Sequence, residues 1–197
     1  MRVLSNLLLS LVWSAAPAAL AGSCPDLSSY RSDNVLGHFD PSRLEGLWYE
    51  SAFIDIAQVG ASCQTLNASY DAGSGRLTMP FSVKYGALPF TIVEIYNPEN
   101  ATGMYLKHVN MPGGKLLQLD TVMVDVTAPN ATAPYETLTM VSCVDVLGIP
   151  TKEVVFAMRV PLDAGNHALL DKMKTTARRL GVEWDESKLK EVSFDKC

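Results

Sequence analysis

From residue 47 onward, short apolar-rich runs alternate with turn residues. The runs at 47–55, 63–71, 76–85, 88–96, 104–109, 116–126, 135–146 and 152–160 each read as β-strands. Between them lie Asp71-Ala-Gly-Ser-Gly75, Gly86, Asn97-Pro98-Glu99-Asn100, Met111-Pro-Gly-Gly114 and Leu147-Gly-Ile-Pro150, all turn formers, and a longer loop over 127–134. Eight strands joined mostly by short turns predict an all-β, up-and-down antiparallel sheet. A sheet of that size can close into a barrel that holds one small ligand. After 160 the period changes from two to three and four. Leu169, Met173, Thr176, Ala177 and Leu180 make one apolar stripe, capped by Asp163 or Asn166 and ended by Gly181. This is the one helix expected, and a short ninth strand follows over 189–194. Residues 24–40, rich in Ser, Asp and Gly, are expected to be irregular and to wrap the outside.

The first 21 residues change the compartment rather than the fold. Met1-Arg2 supplies a positive charge, 3–12 is mostly apolar, and Ala19-Leu20-Ala21 fits a cleavage site. This reads as a secretory signal peptide, 1–21, before a single domain, 22–197. The apolar run is too short and too broken at Pro17 for a transmembrane anchor. Four cysteines follow: Cys24, Cys63, Cys143 and Cys197. In a secreted chain they imply two disulfides, and sequence alone leaves all three pairings open. Their spacing does not suit zinc, and no metal site is expected. Sequons at Asn67, Asn100 and Asn130 are expected on exposed faces as glycosylation sites. The net charge of −5, without a basic stripe, argues against a nucleic-acid partner.

The stretch Phe39-Asp40 followed by Leu44-x-Gly46-x-Trp48-Tyr49-Glu50 carries the clearest motif. With it go Cys24-Pro25, Cys63, Tyr135-Glu136, Val141-Ser142-Cys143, Phe156-Ala157-Met158-Arg159 and the terminal Cys197. As a set these resemble the lipocalin family, nearest to its apolipoprotein D, insecticyanin-like bilin-binding and crustacyanin-type members. The resemblance covers nearly all of the chain after residue 21. It departs where a Thr-Asp-Tyr is usual between the sixth and seventh strands. Here Asp125-Val-Thr127 and Tyr135 are separated by an inserted loop that carries the Asn130 sequon.

The resemblance implies that Trp48 packs under Arg159, with Gly46 beside them, to plug one end of the barrel. It also implies the pairings Cys24–Cys143 and Cys63–Cys197. With Cys63 outward, alternation turns Gln64, Leu66, Ala68 and Tyr70 inward. With Cys143 outward, Leu138, Met140 and Ser142 turn inward. Inward Arg159 brings Ala157 and Val155 inside and leaves Val154, Phe156 and Met158 outside, beneath the helix. By analogy with the family, Met104, Leu106 and His108 are taken as inward on the fifth strand. The expected ligand set is Leu66, Ala68, Tyr70, Met104, Leu106, His108, Leu138, Met140 and Val155. Its lining is apolar, with Tyr70 and His108 as sparse polar groups.

The function implied is a secreted, extracellular carrier of a small hydrophobic ligand: lipid, retinoid, sterol, bilin or carotenoid. No cofactor is expected beyond a bound hydrophobic molecule. The chain is expected to be a monomer or weak oligomer, with a cell-surface receptor as a further partner. The rival is an extracellular interaction protein that acts through its outer loops and leaves the cavity unused. An enzyme is not expected: no nucleophile elbow, zinc-protease motif or phosphate-binding loop is present. A lone His108 does not make a haem site.

Overall fold

The computed structural model describes residues 23–146, 149–195 and 197. The expected signal peptide, the first residue of the expected domain and two residues of the turn at 147–150 lie outside the described residues. Eight strands run β1 Gly46–Ile54, β2 Ala61–Asp71, β3 Arg76–Tyr85, β4 Leu88–Pro98, β5 Met104–Val109, β6 Leu119–Thr127, β7 Thr137–Val146 and β8 Ile149–Met158. Each pairs antiparallel with the next, and β1 pairs with both β8 and β2. The sheet therefore closes into an up-and-down barrel, which leaves few backbone groups at an open edge.

Closure is incomplete at one end. β1 pairs with β2 only over Gly46–Tyr49. Farther along, Ala52 and Phe53 pair instead with β9, Lys190–Glu191. β9 is only two residues long, against an expectation of six, because the segment after it turns away toward Cys197. A bulge between Glu50 and Ala52 reverses the alternation of β1. Trp48 belongs to the interior cluster, whereas Ala52 belongs to the outer one.

Two apolar layers follow from the alternation. The interior holds Trp48, Leu66, Ala68, Tyr105, Leu138, Met140, Val155 and Ala157, among others. The outer layer lies between the barrel wall and α2, His167–Arg179. Of the expected stripe, Met173 and Ala177 of α2 are buried against Val154, Phe156 and Met158, while Leu169, Thr176 and Leu180 are half-buried. Leu170, outside the expected stripe, is fully buried in the same layer. Gly181, at φ +90°, ends the helix, and Val182 N–H donates back to the Ala177 carbonyl at 3.0 Å. Among the described residues, no helix is long and apolar enough to cross a membrane.

Three expectations need correction. The segment 24–40 is not irregular: it contains a 3-10 turn at Leu27–Tyr30 and a second helix, α1, Asp33–His38. Ser32 caps α1 by accepting from Val35 N–H, and Val35 is fully buried among the interior residues. Six residues show too little periodicity to stand out in sequence. β6 begins at Leu119 rather than 116, because Gly113 (φ +79°) turns the chain into a 3-10 turn at Gly114–Leu116. The faces of β5 are also reversed. Tyr96 pairs with Lys107 and Pro98 with Tyr105, and cross-strand partners share a face. Tyr105 and Lys107 therefore point inward, while Met104 packs in the outer layer and Leu106 faces out opposite Asn97 and Asp120.

Candidate functional site: a barrel plugged at one end and charged within

The barrel is closed where β1 begins. The Arg159 guanidinium carbon sits 3.8 Å from the centroid of the Trp48 ring. The same group donates to three carbonyls: Tyr135 at 2.8 Å, Leu47 at 3.0 Å and Arg43 at 3.2 Å. Trp48 Nε1–H donates to the Leu44 carbonyl at 2.7 Å. Gly46 has φ +100°, and a Cβ there would lie 3.2 Å from Arg159 Nη1. Glycine is thus needed both for its conformation and for the close approach.

The inserted loop does not open this end. Arg43 lies over the Tyr135 ring at 4.1 Å and donates to the carbonyls of Ala133 and Asn130. The Tyr135 hydroxyl donates to the His38 carbonyl and accepts from Asp40 N–H, while its ring stacks with Phe39. Tyr135 keeps its place although the residues before it are spaced differently.

The other end opens into a cavity of about 350 Å³. That is room for roughly a dozen waters at ~30 Å³ each, the low end for ligand pockets. Phe81, Phe90, Ile92, Leu117 and Leu119 contribute apolar walls. Around the mouth, Val59, Leu88, Phe90, Met111, Leu116 and Ile149 are exposed.

The expected ligand set divides. Leu66, Met140 and Val155 line this cavity. Ala68 and Leu138 face inward but lie in the filled interior, outside the cavity lining. Tyr70 and Met104 border a shallow groove by Pro41, Gly75 and Pro98, at the plugged end. Leu106 is on the outer face, for the reason given for β5. His108 borders the cavity, but it also borders an outer pocket with Arg76, Ile95 and Lys115. Its Nδ1 lies 3.4 Å from Asn97 Nδ2.

The interior is not sparsely polar. Lys107 Nζ is 3.4 Å from Glu94 Oε1 and in close contact with Glu153 Oε2. The Tyr96 hydroxyl donates to Glu94 Oε2 at 2.6 Å. Burial works against the charge of Lys107, but Glu153 and Glu94 outweigh it and hold the ammonium protonated well above the usual lysine range. Beside this network lies Glu50, 1% exposed. Gln58 Nε2 donates to its Oε1 at 3.4 Å, and Gln64 Nε2 to Gln58 Oε1 at 3.4 Å. Glu50 Oε2 has no partner among the described residues. Burial above all pushes the Glu50 carboxyl up to about 8, with neighbouring Glu94 and Asp55 adding to the rise.

These groups were within reach of the alternation. Inward Val155 implies inward Glu153, and inward Trp48 implies inward Glu50. An interior carboxylate on β8 then asks for an interior cation, which Lys107 supplies once β5 is turned over.

Both disulfides are formed as the resemblance implies, Cys24–Cys143 and Cys63–Cys197. Cys63 has φ +60° at a bulge in β2, where the strand leaves its regular pairing with β3.

No family model and no curated relative matches the chain. Solved structures do. Apocrustacyanin C1 superposes with a TM-score of 0.60 at 15% identity, over 80% of this chain and 82% of that one. Lobster apocrustacyanin A1 gives 0.56 at 15%, over 76% and 77%. Insecticyanin from the tobacco hornworm Manduca sexta gives 0.60 at 16%, over 89% and 88%. At such identities the likeness is one of fold, and it covers between 76% and 89% of each chain. With its eight-stranded antiparallel barrel and outer helix, the chain has the fold of these crustacyanin and insecticyanin structures, the lipocalin fold.

Proposed function

We propose that the protein is a secreted carrier that takes a small, mainly hydrophobic molecule into the open half of its barrel. One observation carries the reading: a cavity of about 350 Å³ with apolar walls, open at one end, in a barrel plugged at the other. Removing a mid-sized apolar molecule from water yields several kcal/mol at ~25 cal/mol per Å². A preformed pocket avoids part of the ordering cost. Secretion suits the two disulfides. Exposed Asn67, Asn100 and Asn130 are accessible as glycan acceptors. The test is to produce the protein in a secretory host, extract it with organic solvent and titrate the stripped protein with an apolar fluorescent probe. One saturable site per chain, competed by the extract, is expected. An empty extract and no saturable binding would overturn the proposal.

The exposed apolar residues around the mouth favour a second reading, in which the outer loops dock a protein such as a cell-surface receptor. Under that reading no probe enters the barrel.

A further inference from the structure

The cavity walls carry four carboxyl groups, Glu50, Asp55, Glu94 and Glu153, but one ammonium, Lys107. Lys107 is engaged by Glu94 and Glu153, which leaves Glu50 and Asp55 without a cation of their own. The Asp55 side chain accepts from Ala57 N–H at 2.7 Å, as a turn residue does. Glu50 is different. It is buried, it borders the cavity, and its Oε2 has no hydrogen-bond partner among the described residues. A buried polar atom without a partner is costly, and a ligand donor that meets this oxygen as a carboxylate recovers that cost. Gln58, the nearest donor, is held by two contacts of 3.4 Å, so it can give way at little expense.

Resting on the carrier reading above, we propose that the ligand is an amphipathic amine: an apolar body in the cavity and a protonated nitrogen donating to Glu50. A metal ion does not fit the same charge excess. Among the described residues, no three of His, Cys, Asp or Glu converge closely enough to hold one. A carboxylic acid does not fit either, because it would add a fifth carboxyl group beside Glu50, Asp55, Glu94 and Glu153.

The proton balance is explicit. In the free protein the Glu50 carboxyl is protonated at neutral pH, since burial pushes it up to about 8. An arriving ammonium forms an ion pair with the carboxylate, and the carboxyl proton leaves to the buffer. The charged groups facing Glu50 are Asp55, Glu94 and Lys107. Binding should therefore strengthen as pH rises toward 8. It should then level off until the amine itself deprotonates, near ~10.4 by analogy with lysine.

The experiment is calorimetric titration of stripped protein at pH 7 with decylamine, decanol and decanoic acid, each in two buffers of different ionisation enthalpy. The expected result is that decylamine binds about tenfold or more tighter than decanol, as a charge-assisted hydrogen bond allows. Close to one proton should be released per amine bound. In Glu50→Gln the ratio of amine to alcohol affinity should collapse toward one, and proton release should vanish. The ratio and the proton count are the readouts, so a general weakening of the variant does not mimic the effect. Decanol or decanoic acid binding as tightly as decylamine would overturn the amine proposal and leave the carrier standing. An amine preference that survives Glu50→Gln would overturn the role of Glu50. Failure of all three ligands to bind would sink the carrier reading itself.

Discussion

Arg159 shows how much one side chain can hold in place. It stacks on Trp48 and satisfies carbonyls from three separate segments. Arg159→Leu should lower stability by roughly 1–4 kcal/mol, measured by urea denaturation, because the carbonyls lose their donor in a half-buried setting. An unchanged midpoint would mean that the plug carries no load. Glu50 makes a second prediction at this scale. Its carboxyl is raised in the fold to about 8 from an ordinary 4.5. Below about 4.5 both folded and unfolded chains hold the proton and nothing is lost. Between about 4.5 and about 8 the unfolded chain releases it and the folded chain does not, so stability falls with rising pH by up to ~1.4 kcal/mol per unit. Above about 8 the loss levels off. Glu50→Gln should flatten that slope in unfolding curves taken from pH 5 to pH 8, and an identical slope in the variant would refute the assignment.

Whole elements were legible in sequence wherever a pattern repeated long enough. The strands and α2 follow from period-two and period-three-to-four spacing, and turn glycines mark most strand ends. The outward apolar set Val154, Phe156 and Met158 asks for a cover, and α2 supplies it. Sequence reading failed where a local exception overrode the period. The Met-Tyr-Leu-Lys-His-Val run of β5 alternates without declaring a face, and the analogy with the family puts Met104, Leu106 and His108 inward where the fold puts Tyr105 and Lys107. The deciding facts were long-range: pairing with Tyr96 and the carboxylates waiting on β4 and β8. Two substitutions test that register by probe titration. Met140→Arg, in the cavity, should abolish binding, while Leu106→Arg, on the outer face, should change it less than about twofold. The reverse outcome would turn β5 back over. For α2, Leu170→Ala should cost about 2–5 kcal/mol in stability, since Leu170 is fully buried in the outer layer. Loss of stability well below that range would mean that the helix only rests on the barrel.

At the scale of the molecule, the two disulfides tie segments outside the barrel to its wall. Cys24 is joined to β7 and Cys197 to β2, with sequence separations of 119 and 134. Loops that long restrict the unfolded chain strongly, and losing either bridge should cost about 2–5 kcal/mol. Cys63→Ser with Cys197→Ser should lower the melting temperature, and peptide mapping of the native protein should find no other pairing. The barrel between them has one plugged end, and that has a kinetic consequence. A guest and its replacement must pass the same mouth, so the first has to depart before the second arrives. Exchange is then limited by departure alone. In a stopped-flow chase, the observed rate should reach a plateau set by the outgoing molecule and stay there however concentrated the incoming one becomes.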